Sequence, residues 1–319
     1  MFNFLKLPAT PLLTAAGGVN ASYKTDEVGL AANNPALLDP VLNTQVDMTF
    51  NSFIAGVKTY SLSYAAHSGQ LHTTFGGHVY FVDYGTIPQT DASGNISGSF
   101  RPVDFVAQVS AARKYLQRWS YGATMKFISS SFQQYKSTAL AVDFGVLYED
   151  SAHLLSASVL ARNMGFQLRT YAGQKEDLPF DFQIGVTKRL SKAPLAFSLT
   201  VQHLNAFDIF YNDTTFNIEN NFSTGSPFVN RLLNHFVLAS HIYFGPNLEA
   251  TVGYNHLRRS ELNTADGGNG LNGFSMGLRA KFSKFQVLYA RSAYQRNISY
   301  NQLGLNLQLN KFFTLGKDL

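Results

Sequence analysis

The sequence predicts an all-β protein: a fourteen-stranded antiparallel transmembrane β-barrel (residues 43–319) behind a compact N-terminal plug segment (residues 1–42). Three observations carry this expectation. From Gln45 onward apolar and polar residues alternate with a period of two, which puts them on opposite faces of strands. The gaps between the alternating segments are short and long by turns. No apolar run approaches the roughly 18 residues of a membrane helix, so any membrane crossing falls to strands, which can span only as a closed barrel.

The last stretch, Ser299 to Phe313, shows the alternation at its clearest. Leu303, Leu305, Leu307 and Leu309 share one face, Gln302, Gly304, Asn306, Gln308 and Asn310 the other, and the stretch ends in Phe312-Phe313. An apolar outside, a polar inside and an aromatic end suit a barrel with a wet lumen. A soluble β-sandwich alternates in the same way, so this strand by itself does not choose between them.

Residues 1–42 differ from the rest. They hold four of the ten prolines (Pro8, Pro11, Pro35, Pro40) and show no two-residue alternation. Thr25 to Ala32 reads as a short helix with Thr25 or Asp26 as N-cap, stopped by Asn34-Pro35 because the residue before proline avoids helical geometry. Such a segment ahead of a barrel is expected inside it; a surface arm is the alternative.

About fourteen alternating segments follow, near 44–51, 57–67, 71–83, 102–114, 119–132, 137–149, 153–164, 180–191, 195–205, 235–244, 247–257, 271–283, 284–293 and 299–313. Their charges sort mainly to the polar face: Asp143 and Glu149 oppose Leu140, Val142 and Phe144, and Arg279 and Lys281 oppose Met276 and Leu278. An arginine or lysine at mid-depth on the lipid face would cost about 2–4 kcal/mol. Tight gaps at 67–70, 191–194 and 245–247 alternate with the longer 83–101, 164–179, 205–234 and 257–270. Outer-membrane barrels segregate their loops in this way, with the short side periplasmic, and an even strand number then puts both termini there. A sandwich has no reason to do so. Aromatic residues near strand ends, such as Tyr115 with Trp119 and Tyr243 with Phe244, fit interfacial girdles. Met1 to Lys6 lacks the basic and apolar regions of a secretion leader, so a leader is expected to be absent from this sequence.

Chemistry is sparse. The absence of cysteine excludes disulfides and thiolate zinc sites, and the net charge of +5 has no basic run that suggests nucleic acid. His72 and His78 fall on one proposed strand, but roughly 20 Å apart at strand rise, too far to share a metal. Thr90 to Asn95 faintly resembles a calcium loop without its later carboxylates and reads as a turn. The expectation is therefore no catalytic, cofactor or metal residue. The long loop 205–234 is the better candidate, since Phe207, Phe210, Tyr211, Phe216, Phe222 and Phe228 could anchor a partner or fold over the barrel mouth.

Several motifs also point to a family. Leu7-Pro8-Ala9-Thr10, Ala15-Ala16-Gly17-Gly18, and Asp26-Glu27-Val28 leading into Asn34-Pro35-Ala36-Leu37-Leu38 resemble the N-terminal region of FadL-like outer-membrane barrels. Tyr84-Gly85-Thr86, Leu178-Pro179-Phe180-Asp181-Phe182-Gln183-Ile184-Gly185, and Lys192 to Ser198 with Gln202-His203-Leu204 extend the likeness along the chain. It is most similar to the PorV/PorQ group of Bacteroidetes. Pro11-Leu12-Leu13 departs from it, where a Ser-Ala-Arg-like run is expected. The resemblance implies a plug carrying Asn34, Pro35 and Ala36 and a non-enzymatic role in the type IX secretion attachment complex. There the barrel would hold a PorZ-like surface protein near a PorU-like sortase and a PorV-like shuttle barrel, among outer-membrane lipid and lipopolysaccharide. A FadL-type transporter of hydrophobic small molecules is the alternative. It needs an apolar lumen pocket and a lateral opening, whereas the lumen-facing residues read as mostly polar or small.

Overall fold

A computed structural model describes residues 2–171, 173, 175–207, 209, 228–262, 270–295 and 298–313. Fourteen strands close into one antiparallel barrel: β1 (Gln45–Ser52), β2 (Lys58–Ser68), β3 (Thr73–Asp83), β6 (Val103–Tyr115), β7 (Trp119–Phe132), β8 (Tyr135–Asp150), β9 (Leu155–Arg169), β10 (Asp181–Arg189), β11 (Leu195–Val201), β12 (Phe236–Tyr243), β13 (Leu248–Asn255), β14 (Phe274–Lys281), β15 (Phe285–Gln295) and β16 (Ile298–Gln308). Closure comes from β1 pairing with β16, Gln45 opposite Gln308 through Ser52 opposite Asn301. The two remaining strands, β4 (Ile87–Thr90) and β5 (Ile96–Phe100), form a separate hairpin in the connection that the sequence left as loop. Its turn is held by Asp91, whose Oδ1 accepts from the Ser93 and Asn95 N–H groups at 2.9 Å each.

The two faces sort as the alternation requires. Met48, Phe50, Tyr60, Leu62 and Tyr64 point outward and are exposed, while Gln45, Asp47, Thr49, Ser61 and Ser63 point inward and are buried. Among the outward cations Lys188 is one residue from the end of β10, and Arg291, within β15, reaches Ser299 Oγ on the neighbouring strand at 3.0 Å. Long basic side chains at such positions can reach the headgroups. The fold is therefore that of an outer-membrane barrel, and no helix among the described residues is long and apolar enough to cross a membrane.

Several boundaries differ from expectation, among them the end of β11, which stops at Val201 rather than near 205. The 25–32 helix is a 3-10 turn, Val28–Ala32, preceded by Glu27 without a side-chain cap. Thr25 Oγ1 instead accepts from the Glu27 N–H, and Gly29 packs closely against Thr10 and Asp47. The final strand stops at Gln308, and Asn310–Phe313 turn helical. β9 runs past Met164 to Arg169 because a bulge opposite Asp143 absorbs one extra residue there.

Most of residues 2–42 are buried along the barrel's inner wall, with Asn3, Lys6, Pro40 and Val41 exposed. Leu12, Leu13, Leu30 and Leu37 pack with inward Leu147 and Leu288, and Val28, Leu38 and Leu42 with Ala65 and Ala112. The departing Pro11-Leu12-Leu13 run opens the helix Pro11–Ala15, its first turn capped by Thr10, whose Oγ1 accepts from the Leu13 N–H. The segment can press its backbone onto the wall because the wall presents glycine. A Cβ on Gly122 would lie 2.7 Å from the Pro35 carbonyl carbon, and one on Gly253 2.4 Å from the Ala15 oxygen. We therefore expect Gly122→Val to lower stability by about 1–3 kcal/mol, read as an earlier heat-dependent unfolding shift in detergent. Gly77→Val is the control, since a Cβ there meets nothing within 4 Å; equal loss in both variants would refute the docking argument.

Candidate functional site: the lumen and its two rims

Asn34-Pro35-Ala36 docks where β7 and β8 set Gly122 directly opposite Gly145. Asn34 begins the 3-10 turn Pro35–Leu37: its Oδ1 accepts from the Ala36 N–H at 3.0 Å, and its Nδ2 donates to Ala21 O at 2.7 Å and to Ser158 Oγ at 2.9 Å. One buried side chain thus caps its own turn, ties two stretches of the N-terminal segment together and pins them to β9. Proline then supplies a fixed φ with no N–H to satisfy.

The lumen wall is not polar throughout. Tyr80, Val82, Val106, Ile128, Ala139 and Ala141 form an inward apolar sector across β3, β6, β7 and β8, and Phe2, Phe4 and Leu5 cover it. Phe4 stacks over Tyr80 with ring centroids 6.5 Å apart. Sequence alternation missed this sector because its residues, one or two per strand, stand on the inward face among polar neighbours such as His78, Asp104, Lys126 and Ser137. Beside it Lys126 and Asp143, both essentially inaccessible, pair at 2.6 Å, and Lys126 also donates to Asn163 Oδ1 at 2.9 Å. A pair so buried persists only because each partner neutralises the other. The β2–β3 and β3–β6 ladders run without a register break, so the wall beside the apolar sector is continuous.

The short-turn rim carries the charge. Tyr23 stacks on His241 at 3.6 Å and donates to Glu249 Oε1 at 2.6 Å. Arg279 forks onto the same carboxylate and reaches Asp26 Oδ1 at 2.9 Å, where Lys281 also binds at 2.7 Å. Two adjoining recesses, about 550 and 340 Å³, share Tyr23, Lys24, Arg189 and Tyr243. Arg189 lies over the Tyr243 ring, 4.5 Å from its centroid. Lys24 bridges Asp39 and Glu149 at 2.6 Å each, and Lys114 adds a contact to Asp39 at 2.7 Å. Burial by itself would push the Asp39 carboxyl up, but Lys114, Lys24 and the Val41 N–H outweigh it and hold it at about 2.

At the long-loop rim, Phe207 and Phe228 meet with centroids 5.8 Å apart, and Phe207 stacks on His235 at 5.9 Å. His235 also faces the Gln202 and Phe207 carbonyls at 2.8 and 3.2 Å. These two aromatics are thus gathered against the barrel's own edge. Phe210, Tyr211, Phe216 and Phe222 lie outside the described residues. His72 precedes β3 in a turn, whereas His78 is in the lumen beside Ser63 at 2.8 Å. Among the described residues no three His, Asp or Glu side chains converge as metal ligands.

The Asp39 cluster makes a testable pH dependence. Its folded pKa lies below the unfolded value of roughly 3.9, so its stabilisation is complete above that value and is lost as pH falls from about 4 to about 2. Asp39→Asn should destabilise the protein at neutral pH and flatten the acid limb of the unfolding midpoint. An unchanged acid limb would remove Asp39 from this role.

No family model and no curated protein sequence matches the chain. Solved structures do. The CymD monoaromatic hydrocarbon channel aligns over 95% of this chain and 97% of its own, at 12% identity and a TM-score of 0.51. A mutant of the TodX monoaromatic hydrocarbon channel covers 93% and 97%, at 13% identity and 0.50. A Pseudomonas aeruginosa FadL homologue covers 94% and 98%, at 10% identity and 0.48. These neighbours are channel-type barrels rather than enzymes, and at such identities the likeness speaks to fold alone. The fold of this chain is that of a FadL-like outer-membrane β-barrel.

Proposed function

We propose that the chain is a PorQ-type, non-enzymatic anchor of the type IX secretion attachment complex, with its short-turn rim and both termini periplasmic. It holds a PorZ-like surface protein near a PorU-like sortase and a PorV-like shuttle barrel. The observation that carries this reading is the occupied lumen. Phe2, Phe4 and Leu5 cover the apolar sector, and hydrogen bonds tie the segment to several inward positions, among them Asn34 to Ser158 and Thr14 to Gln302. A barrel braced from within is a stiff membrane post, suited to presenting loops to a partner. The order of the sequence motifs supplies the identity of the complex.

A transporter of hydrophobic small molecules is the second reading. It is favoured by the inward apolar sector and by likeness to monoaromatic hydrocarbon channels. The continuous wall at β2, β3 and β6 weighs against it.

Gentle-detergent capture of the tagged protein from native outer membrane, with mass spectrometry, separates the two. Co-recovery of a large β-rich surface protein with a sortase-like protease is expected, and deletion of residues 212–228 should release the surface protein while the barrel stays folded. Retention of the surface protein by that deletion would overturn the loop assignment. Recovery of the barrel alone, carrying an apolar small molecule, would favour transport.

A further inference from the structure

Among the described residues several buried oxygens have no hydrogen-bond donor, and one set of them falls on three neighbouring strands of the lumen wall and the segment that crosses them. Asp47 on β1 lies directly opposite Asn306 on β16, and Asn306 directly opposite Gln286 on β15, so three inward side chains stand in a row on neighbouring strands. The N-terminal segment crosses this row. Gln286 Nε2 donates to the Asp26 carbonyl at 3.2 Å, and at the other end Gly29 approaches so closely that a Cβ there would lie 2.8 Å from Asp47 Oδ1. Glu27 falls between those two contacts. All four side chains are buried: Glu27 1%, Asp47 0%, Asn306 0% and Gln286 3% exposed.

Their nitrogens and oxygens are treated differently. The Asn306 amide nitrogen donates to Gln45 Oε1 at 3.2 Å, and that of Gln286 is engaged by Asp26. Thr49 reaches Asp47 Oδ1. Glu27 Oε1 and Oε2, Asp47 Oδ2, Asn306 Oδ1 and Gln286 Oε1 have no hydrogen-bond partner. Two buried carboxylates with no cation of their own are costly, as like charges in a dry site repel. The Arg279 guanidinium is committed to Glu249 and Asp26.

We propose that Glu27, Asp47, Asn306 and Gln286 form a calcium site that clamps the N-terminal segment to the barrel wall. A carboxylate taken bidentate, a second carboxylate and two amide carbonyls supply five oxygens. Calcium accepts six to eight such hard ligands in flexible geometry, and a 2+ charge balances the two carboxylates. Magnesium fits less well, since it demands near-ideal octahedral geometry and keeps its waters. Sequence spacing hides the site, because the ligands come from residues 27, 47, 286 and 306 and meet only when β1 closes on β16.

The test uses the full chain, purified in detergent, stripped with chelator and returned to calcium chloride or magnesium chloride at about 1 mM. Elemental analysis should give one calcium per chain, and calcium alone should raise the unfolding midpoint by about 5 °C. Glu27→Gln and Asp47→Asn should abolish both effects. Asn306→Asp, which adds a third carboxylate, should bind calcium more tightly than the wild type, and this gain of function reads the site even where the loss variants fold poorly. The proposal is overturned if the wild type retains no more calcium than Asp47→Asn. It is equally overturned if Asp47→Asn is simply more stable with and without calcium, the behaviour of an acid pair sharing a proton.

Discussion

Backbone pairing in hydrocarbon governs this molecule. A strand that leaves its N–H and C=O groups facing lipid pays several kcal/mol for each, so the sheet has to close, and β1 has to find β16 across the whole length of the chain. Closure creates a lumen whose walls are paired backbone with mostly polar side chains and one apolar sector. Everything distinctive about the protein concerns how that lumen is filled.

Residues 2–42 fill it with an irregular chain, which carries its own unpaired backbone groups into a dry place. Those groups are met locally by short turns with side-chain caps: Thr10, Asn34 and Asp39 each accept from an N–H two or three residues ahead. Contact with the wall then depends on volume. Inward glycines leave room for backbone at Pro35 and Ala15, while leucines meet inward Leu147 and Leu288. The charges are divided as well. Near the short-turn rim Lys24 with Glu149, Asp39 with Lys114 and Asp26 with Arg279 form bridges between segment and wall, whereas the deeper Glu27 and Asp47 have no such partner.

Under the proposed anchor role, the combination would separate fold from function. The barrel shares its architecture with hydrocarbon channels, and it retains an apolar inner sector at which such a channel could work. Its own Phe2, Phe4 and Leu5 occupy that sector and the neighbouring wall is unbroken. On the proposed reading, one architecture would serve as either a conduit or a post, depending on what covers its inner wall.

Strand number, the direction each side chain faces and the segregation of loops were all legible in the sequence, because a period of two and a closed ladder leave little freedom. Within the last strand the two faces were readable, Leu303 outward and Gln302 inward, but not its end, since Asn310–Phe313 turn helical. The same reasoning could not find the β4–β5 hairpin, whose exposed residues carry no inside–outside signal, nor the bulge around Asn163, which depends on Lys126 and Asp143 meeting across strands. It passed over Glu27 and Asp47 as ordinary acids twenty positions apart. Local pattern encodes which face a residue takes; only closure of the barrel decides which residues from opposite ends of the chain share a site, because ring geometry makes neighbours of positions that the sequence holds furthest apart.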